Sequence, residues 1–181
     1  VLGSRGLGDV YKRQRDTVYQ LSGTQWIPYL YLDMGKYQMP IEYEAWYSED
    51  AYNKNAINYW NIPRLEEDDR YFFFTAVRQK YIQKGENEND CKFIIYDKKA
   101  KEGFVVKDEN GMKITDDILG GPNFWPRWST DNFYITTMEW SDLEQWTKEE
   151  KHILSPTLQE QFETWGEDTN QLIVLCKKNN I

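Results

Sequence analysis

The residues of this sequence that could do chemistry are few and scattered. Asp116-Asp117 and Arg127 flank a Gly120-Gly121-Pro122 turn, with Trp125 and Trp128 nearby. Acids, a guanidinium and large rings in one stretch suit ligand recognition, so Asp116, Asp117, Trp125 and Arg127 are the candidate ligand-binding residues. Each also has a plain structural role open to it. An Asp before a turn caps it, a Trp fills space between sheets, and an Arg pairs at the surface. A second acidic run, Glu66-Glu67-Asp68-Asp69, could supply two carboxylates for glycoside hydrolysis, which must lie roughly 5–9.5 Å apart across a sugar. As a run of like charge it reads first as a solvated loop.

Other chemistries find little support. His152 is the single histidine, so any Ser-His or Cys-His mechanism would need it. It follows Glu149-Glu150-Lys151 at an expected helix end, where a cationic ring suits the dipole. Cys91 and Cys176 are the only cysteines. Each sits at the edge of an apolar run, and two buried thiols are expected rather than a disulfide framework or zinc site. Gly3, Gly6 and Gly8 followed by Lys12 imitate a phosphate loop. However, no apolar strand precedes them and no Gly-Lys-Ser/Thr ends the run. No catalytic residue, metal site or cofactor is expected.

Composition narrows the partners. The chain has 22 Lys and Arg against 30 Asp and Glu, a formal net charge of −8, the wrong sign for a nucleic-acid partner. No apolar run approaches the roughly 18–20 residues of a membrane helix. Aromatics reach 16%, a load typical of β-rich domains and of sugar-facing surfaces.

The elements that must position these residues read mostly as short strands. Residues 17–21 and 26–32 form a hairpin about Ser22-Gly23-Thr24, with Pro28 forcing an edge or bulge. Residues 36–61 read as an insertion with a short helix between 42 and 56. Tyr71–Val77 is apolar on both faces and predicts a strand covered on two sides. Residues 86–90 form an exposed turn. With residues 91–96 and 103–106, the 71–77 strand makes an antiparallel meander. After the Gly-Gly-Pro turn come a strand at 132–138, a helix capped by Ser141-x-x-Glu144, a helix begun by Ser155-Pro156 and stopped by Gly166, and a closing strand at 172–176. Repeated strand–turn–strand units without βαβ alternation suggest a propeller or sandwich.

Two resemblances refine this. Ser4 to Gln14 resembles the translation of a transposase sequencing adaptor, which sets residues 1–14 apart from a natural chain starting near Arg15. The run Asp117-Ile118-Leu119-Gly120-Gly121-Pro122-Asn123-Phe124-Trp125-Pro126 resembles the last-blade signature of six-bladed β-propeller lipoproteins of Gram-negative gut anaerobes. That signature is close to Asp-Ile/Leu-Asp-Gly-Gly-Pro-x-Phe-Trp-Pro, with Leu119 here in place of an acid. Asp16-Thr17-Val18-Tyr19, Leu32-Asp33-Met34-Gly35-Lys36-Tyr37, Ser141-Asp142-Leu143 and Glu167-Asp168-Thr169-Asn170-Gln171-Leu172 resemble further family segments.

The resemblance implies an all-β fold with a C-terminal helical insertion, made of antiparallel blades of a partial, open six-bladed β-propeller. These blades would span residues 15–178, with 179–181 a tail. It also implies export to the periplasm or outer-membrane surface, often with a lipid anchor. Phe124, Trp125 and Trp128 are expected to pack inside the last blade. The expected function is a non-catalytic cell-envelope protein that binds a glycan or peptide, or scaffolds an envelope protein. The alternative is a glycan-active enzyme using paired carboxylates.

Overall fold

The first sheet is built around a tight hairpin. Strands β3 (Thr17–Ser22) and β4 (Gln25–Tyr31) meet at Gly23, whose φ of 62° lies in the left-handed region that a side chain disfavours. The structure, a computed structural model, describes residues 4–5, 9–14, 16–44, 47–78, 91–107, 113–148, 153–166 and 171–178. Across the hairpin Val18 pairs with Leu30 but Tyr19 pairs with Pro28. Tyr29 is therefore an extra residue, a bulge at the expected proline. Such a bulge bends the strand and re-aims its side chain. Residues 1–14 were set apart from the fold on sequence, yet the backbone of β1 (Ser4–Arg5) and β2 (Asp9–Gln14) completes this sheet in the order β1-β2-β3-β4.

The chain divides into two units, Val1–Val105 and Val106–Ile181. In the first, a second sheet of order β5-β6-β7-β8 follows the insertion. Its strands are β5 (Asn61–Glu67), β6 (Tyr71–Val77), β7 (Cys91–Asp97) and β8 (Glu102–Val105). Burial is greatest on β5 and β6, partial on β7, and absent on β8. Phe72, Phe73, Phe74, Ala76 and Val77 are all buried, as a run apolar on both faces requires. Ile62, Phe72, Phe74 and Ala76 form the core, against which Leu30, Leu32, Met34 and Trp60 pack.

Two expectations fail here. The acidic run is not a solvated loop: Glu66 and Glu67 end strand β5, and both are buried together with Asp68. Pairing with β6, Glu66 opposite Phe73 and Glu67 opposite Phe72, overrides the local charge signal. The insertion holds a helix, α1 (Glu49–Asn55), starting later than expected because Ser48 Oγ accepts from Ala51 N at 3.2 Å and caps it. Residues 45 and 46 of the expected helix lie outside the described residues, as do the 86–90 turn, His152, residues 167–170 and the 179–181 tail.

The second unit carries strands β9 (Trp128–Ser129), β10 (Phe133–Met138) and β11 (Leu172–Lys177), in the order β11-β10-β9. Helices α2 (Trp140–Thr147) and α3 (Pro156–Thr164) lie between β10 and β11 in sequence. Met138, Leu143, Leu158 and Trp165 form the core of this unit, with Leu172 and Val174 packed on it.

Helix α3 starts as expected, Ser155 Oγ accepting from Leu158 N at 3.3 Å and Pro156 in the first turn. It stops at Thr164, where Trp165 turns extended (φ −97°, ψ 113°), so Gly166 is not the terminator. Helix α2 begins before the expected Ser141 cap. Glu139 is its extended cap, and the Asp142 carboxylate reaches back to accept from Glu139 N at 3.1 Å. The buried thiols are also corrected: Cys176 is exposed on β11, and Cys91 is half-buried.

Candidate functional site

The Gly-Gly-Pro stretch is a hub of hydrogen bonds within the second unit. Asp116 Oδ1 accepts from Leu119 N at 2.9 Å and Ile118 N at 3.2 Å, and its Oδ2 accepts from Gly121 N at 3.3 Å. One carboxylate thus holds the backbone of the turn, as the capping preference of Asp dictates. The turn's carbonyls face the helices. Gly120 O accepts from the Trp146 indole at 2.9 Å, and Leu119 O accepts from Ser155 N at 2.7 Å.

Gly120 is needed for this approach, and Gly121 fits it closely. Gly120 has φ 71°, and a Cβ there would lie 2.2 Å from Ile153 O. A Cβ on Gly121 would meet Leu158 Cδ2 at 3.1 Å and Asp116 Oδ2 at 3.2 Å. Leu119, which stands where the family resemblance expects an acid, packs on the apolar core of the unit.

The four candidate residues separate by exposure. Trp125 is buried, at 6% exposure, and Pro126 beside it is buried too. Asp116 is half-buried within the turn, whereas Asp117 and Arg127 are exposed. Arg127 Nη1 donates to Thr137 Oγ1 at 3.1 Å, and its backbone N donates to Ile135 O at 2.8 Å. Trp128 does not pack as expected. It lies on the two-residue strand β9 opposite Ile135, with 48% of its surface open to solvent. The structure therefore gives Asp116 an internal role and leaves Asp117, Arg127 and Trp128 at the surface.

The first unit holds a second polar constellation that sequence reasoning missed. Glu67 Oε1 accepts from the Tyr29 hydroxyl at 2.6 Å and from Lys98 Nζ at 2.6 Å. Lys98 Nζ also donates to Asp68 O and lies 4.8 Å from the centre of the Phe72 ring. Asp68 Oδ1 accepts from Arg70 N at 2.8 Å and Tyr71 N at 2.6 Å, closing the turn between β5 and β6. Asp97 does the same after β7, accepting from Lys99 N at 2.8 Å and Ala100 N at 3.0 Å, with Arg70 Nε at 3.0 Å. The Ala100 amide, foremost among these donors, holds the Asp97 carboxyl below the usual range. The one signal available in sequence was the Asp-x-x spacing of each turn.

Glu66 differs from these acids. Burial pushes its pKa up to about 7, with the Arg64 charge acting the other way. Successive strand residues point to opposite faces, so Glu66 and Glu67 diverge and do not face one substrate. Partial desolvation, and after it the Asp116 carboxylate, pushes the Cys176 thiol above its usual range. Among the described residues no group of three or more His, Cys, Asp or Glu is placed to hold a metal ion. No helix among them is long and apolar enough to cross a membrane.

Comparison with known proteins follows the fold. A crystal structure of a "putative exported protein" from Bacteroides fragilis superposes with a TM-score of 0.61 at 14% identity. The match covers 98% of this chain and 49% of that one, so the chain spans about half the length of this structural relative. No curated protein sequence matches the chain. A family model matches residues 10–177, nearly the whole sequence. The chain belongs to the family described as Domain of unknown function (DUF4934).

Proposed function

We propose that the chain is part of an exported, non-catalytic β-propeller of the cell envelope, with a binding or scaffold role toward a glycan or an envelope protein. The observation that carries the non-catalytic reading is the commitment of four acids to structure. Asp68, Asp97 and Asp116 cap turns, and Glu67 is held by Tyr29 and Lys98.

The propeller reading is supported by the four-stranded antiparallel meanders in sequential strand order, and by burial that is greatest on β5 and β6 and absent on β8. Blades of this kind take about 40–45 residues each. The similarity to half of a longer structure agrees with a partial ring, and the description of that relative as exported supports a periplasmic or surface location.

Within this reading Asp117 and Arg127 are the contact residues at the surface, while Asp116 and Trp125 hold the turn that presents them. A glycan array probed with the purified chain tests the idea. Binding that is lost in Arg127→Ala or Asp117→Ala, with the circular dichroism spectrum unchanged, supports it. Absence of binding to any glycan, together with no capture of an envelope protein, would sink it.

A further inference from the structure

We infer that helices α2 and α3 jointly set the conformation of the Gly-Gly-Pro turn, and that their docking regulates how the turn presents Asp117. The regulatory part rests on the reading that Asp117 meets the ligand. The coupling of turn and helices does not.

The turn does not carry its own conformation. Glycine is the most permissive residue, Gly120 and Gly121 are adjacent, and Gly120 sits at φ 71°. Asp116 fixes the amide side from within. Its carboxylate accepts from Ile118 N, Leu119 N and Gly121 N, so its grip spans Asp117. The carbonyl side is fixed from outside. Gly120 O is taken by the Trp146 indole of α2, and Leu119 O by the backbone N of Ser155, the N-cap of α3. Two successive carbonyls are thus held by two different helices.

The helices depend on the turn in return. Helix α2 has 8 residues and α3 has 9, and an isolated helix shorter than roughly 12–15 residues is marginal in water. Each buries a single residue, Leu143 in α2 and Leu158 in α3. Leu119 packs on the cluster that holds both, and Gly121 lies close against Leu158. Ser155 serves both sides: its Oγ caps α3 while its N–H donates to the turn. Turn and helices therefore order together. Such coupling is reciprocal, so whatever fixes the turn steadies the helices, and whatever loosens the helices frees the turn.

Native-state hydrogen exchange on the whole chain, read residue by residue by NMR, tests both directions. Trp146→Phe keeps a ring and removes the donor to Gly120 O. The Ile118, Leu119 and Gly121 amides should then exchange about tenfold faster, although their acceptor Asp116 is untouched. The Asp117 resonance should move with them. Ser155→Ala removes only the Oγ cap of α3 and should speed the same turn amides to a lesser degree. From the other side, Asp116→Ala should speed exchange at Leu143 and Leu158. Val174→Ala is the control. It trims the same core from β11, and it should leave the turn amides unchanged relative to those of β10.

Turn amides that keep their original rates in both Trp146→Phe and Ser155→Ala overturn the inference. So do helix amides indifferent to Asp116→Ala, or turn amides that respond to Val174→Ala as strongly as to Trp146→Phe. Exchange needs no ligand, so the two readings fail separately. A glycan array without binding removes the contact role of Asp117 and leaves the coupling standing. Unchanged exchange removes the coupling and leaves the contact role to the array.

Discussion

The Tyr29 hydroxyl donates to Glu67 Oε1 across 2.6 Å, joining residues 38 positions apart in the chain. Tyr29 stands at the register shift of the hairpin, between the pairs Val18–Leu30 and Tyr19–Pro28. The phenol also sets its ring edge-on to Phe72, centroids 6.3 Å apart, at the heart of the first unit.

Tyr29→Phe keeps the ring and removes only the donor. Glu67 retains Lys98 as a partner, so the expected loss is about 1–2 kcal/mol in chemical denaturation. A double-mutant cycle with Glu67→Gln should show coupling between the two sites. Additive effects would mean that the contact carries no energy of its own.

Glu66 gives the chain a pH dependence of defined sign. Its folded pKa of about 7 lies above the 4.5 of an unperturbed carboxyl. The folded chain therefore holds a proton that the unfolded chain has released, and stability falls as pH rises across that window. The fall should be no more than about 3 kcal/mol. Glu66→Gln is expected to flatten the profile between pH 5 and 8 and to stabilise the chain at the alkaline end. Asp97 acts in the opposite sense. Its lowered pKa contributes stability above the ordinary carboxyl range, and that contribution is lost as pH falls through the folded value.

Gly120→Ala should be the most damaging small substitution in the second unit. The added methyl meets Ile153 O at 2.2 Å and the backbone needs a positive φ, so a loss above about 3 kcal/mol is expected. Gly121→Ala meets a flexible Leu158 methyl instead and should cost less. Thermal melts of the two variants give the comparison directly; equal effects would contradict the backbone contact.

Asp116→Ala removes the acceptor for three backbone amides. A loss of about 1–3 kcal/mol is expected, and Asp116→Asn should recover part of it. Asp117→Ala, on the exposed side of the turn, should leave the melting temperature within a degree or two, as surface substitutions usually do. A reversed order would exchange the roles assigned to these two acids.

Much of the strand pattern was legible in the residues themselves. The alternation before and after Gly23, the doubly apolar Tyr71–Val77 run and the Ser155-Pro156 helix start all state their geometry locally. Strand β5 was not legible, because Pro63 and a run of acids hide it, and only its pairing with β6 makes it a strand. The start of α2 was misplaced because Asp142, not Glu144, reaches back to the cap. Within the candidate site, the turn-holding role of Asp116 follows from its place before Gly-Gly-Pro. The exposure of Trp128 does not, since it depends on which face of β9 the sheet leaves open. The Tyr29–Glu67–Lys98 cluster needed three segments brought together by folding, and no local pattern announces that.

The position of β11 in sequence also shapes the order in which the second unit assembles. Paired strands from β5 to β8 are joined by short segments, the longest being residues 78–90, but β10 must wait for β11 across residues 139–171, through both helices. Closing so long a loop carries an entropic cost that neighbouring strands avoid. The β10–β11 ladder should therefore form late and open early. In native-state hydrogen exchange its amides should lose protection before those of β6, making the last strand of the chain the first to let go.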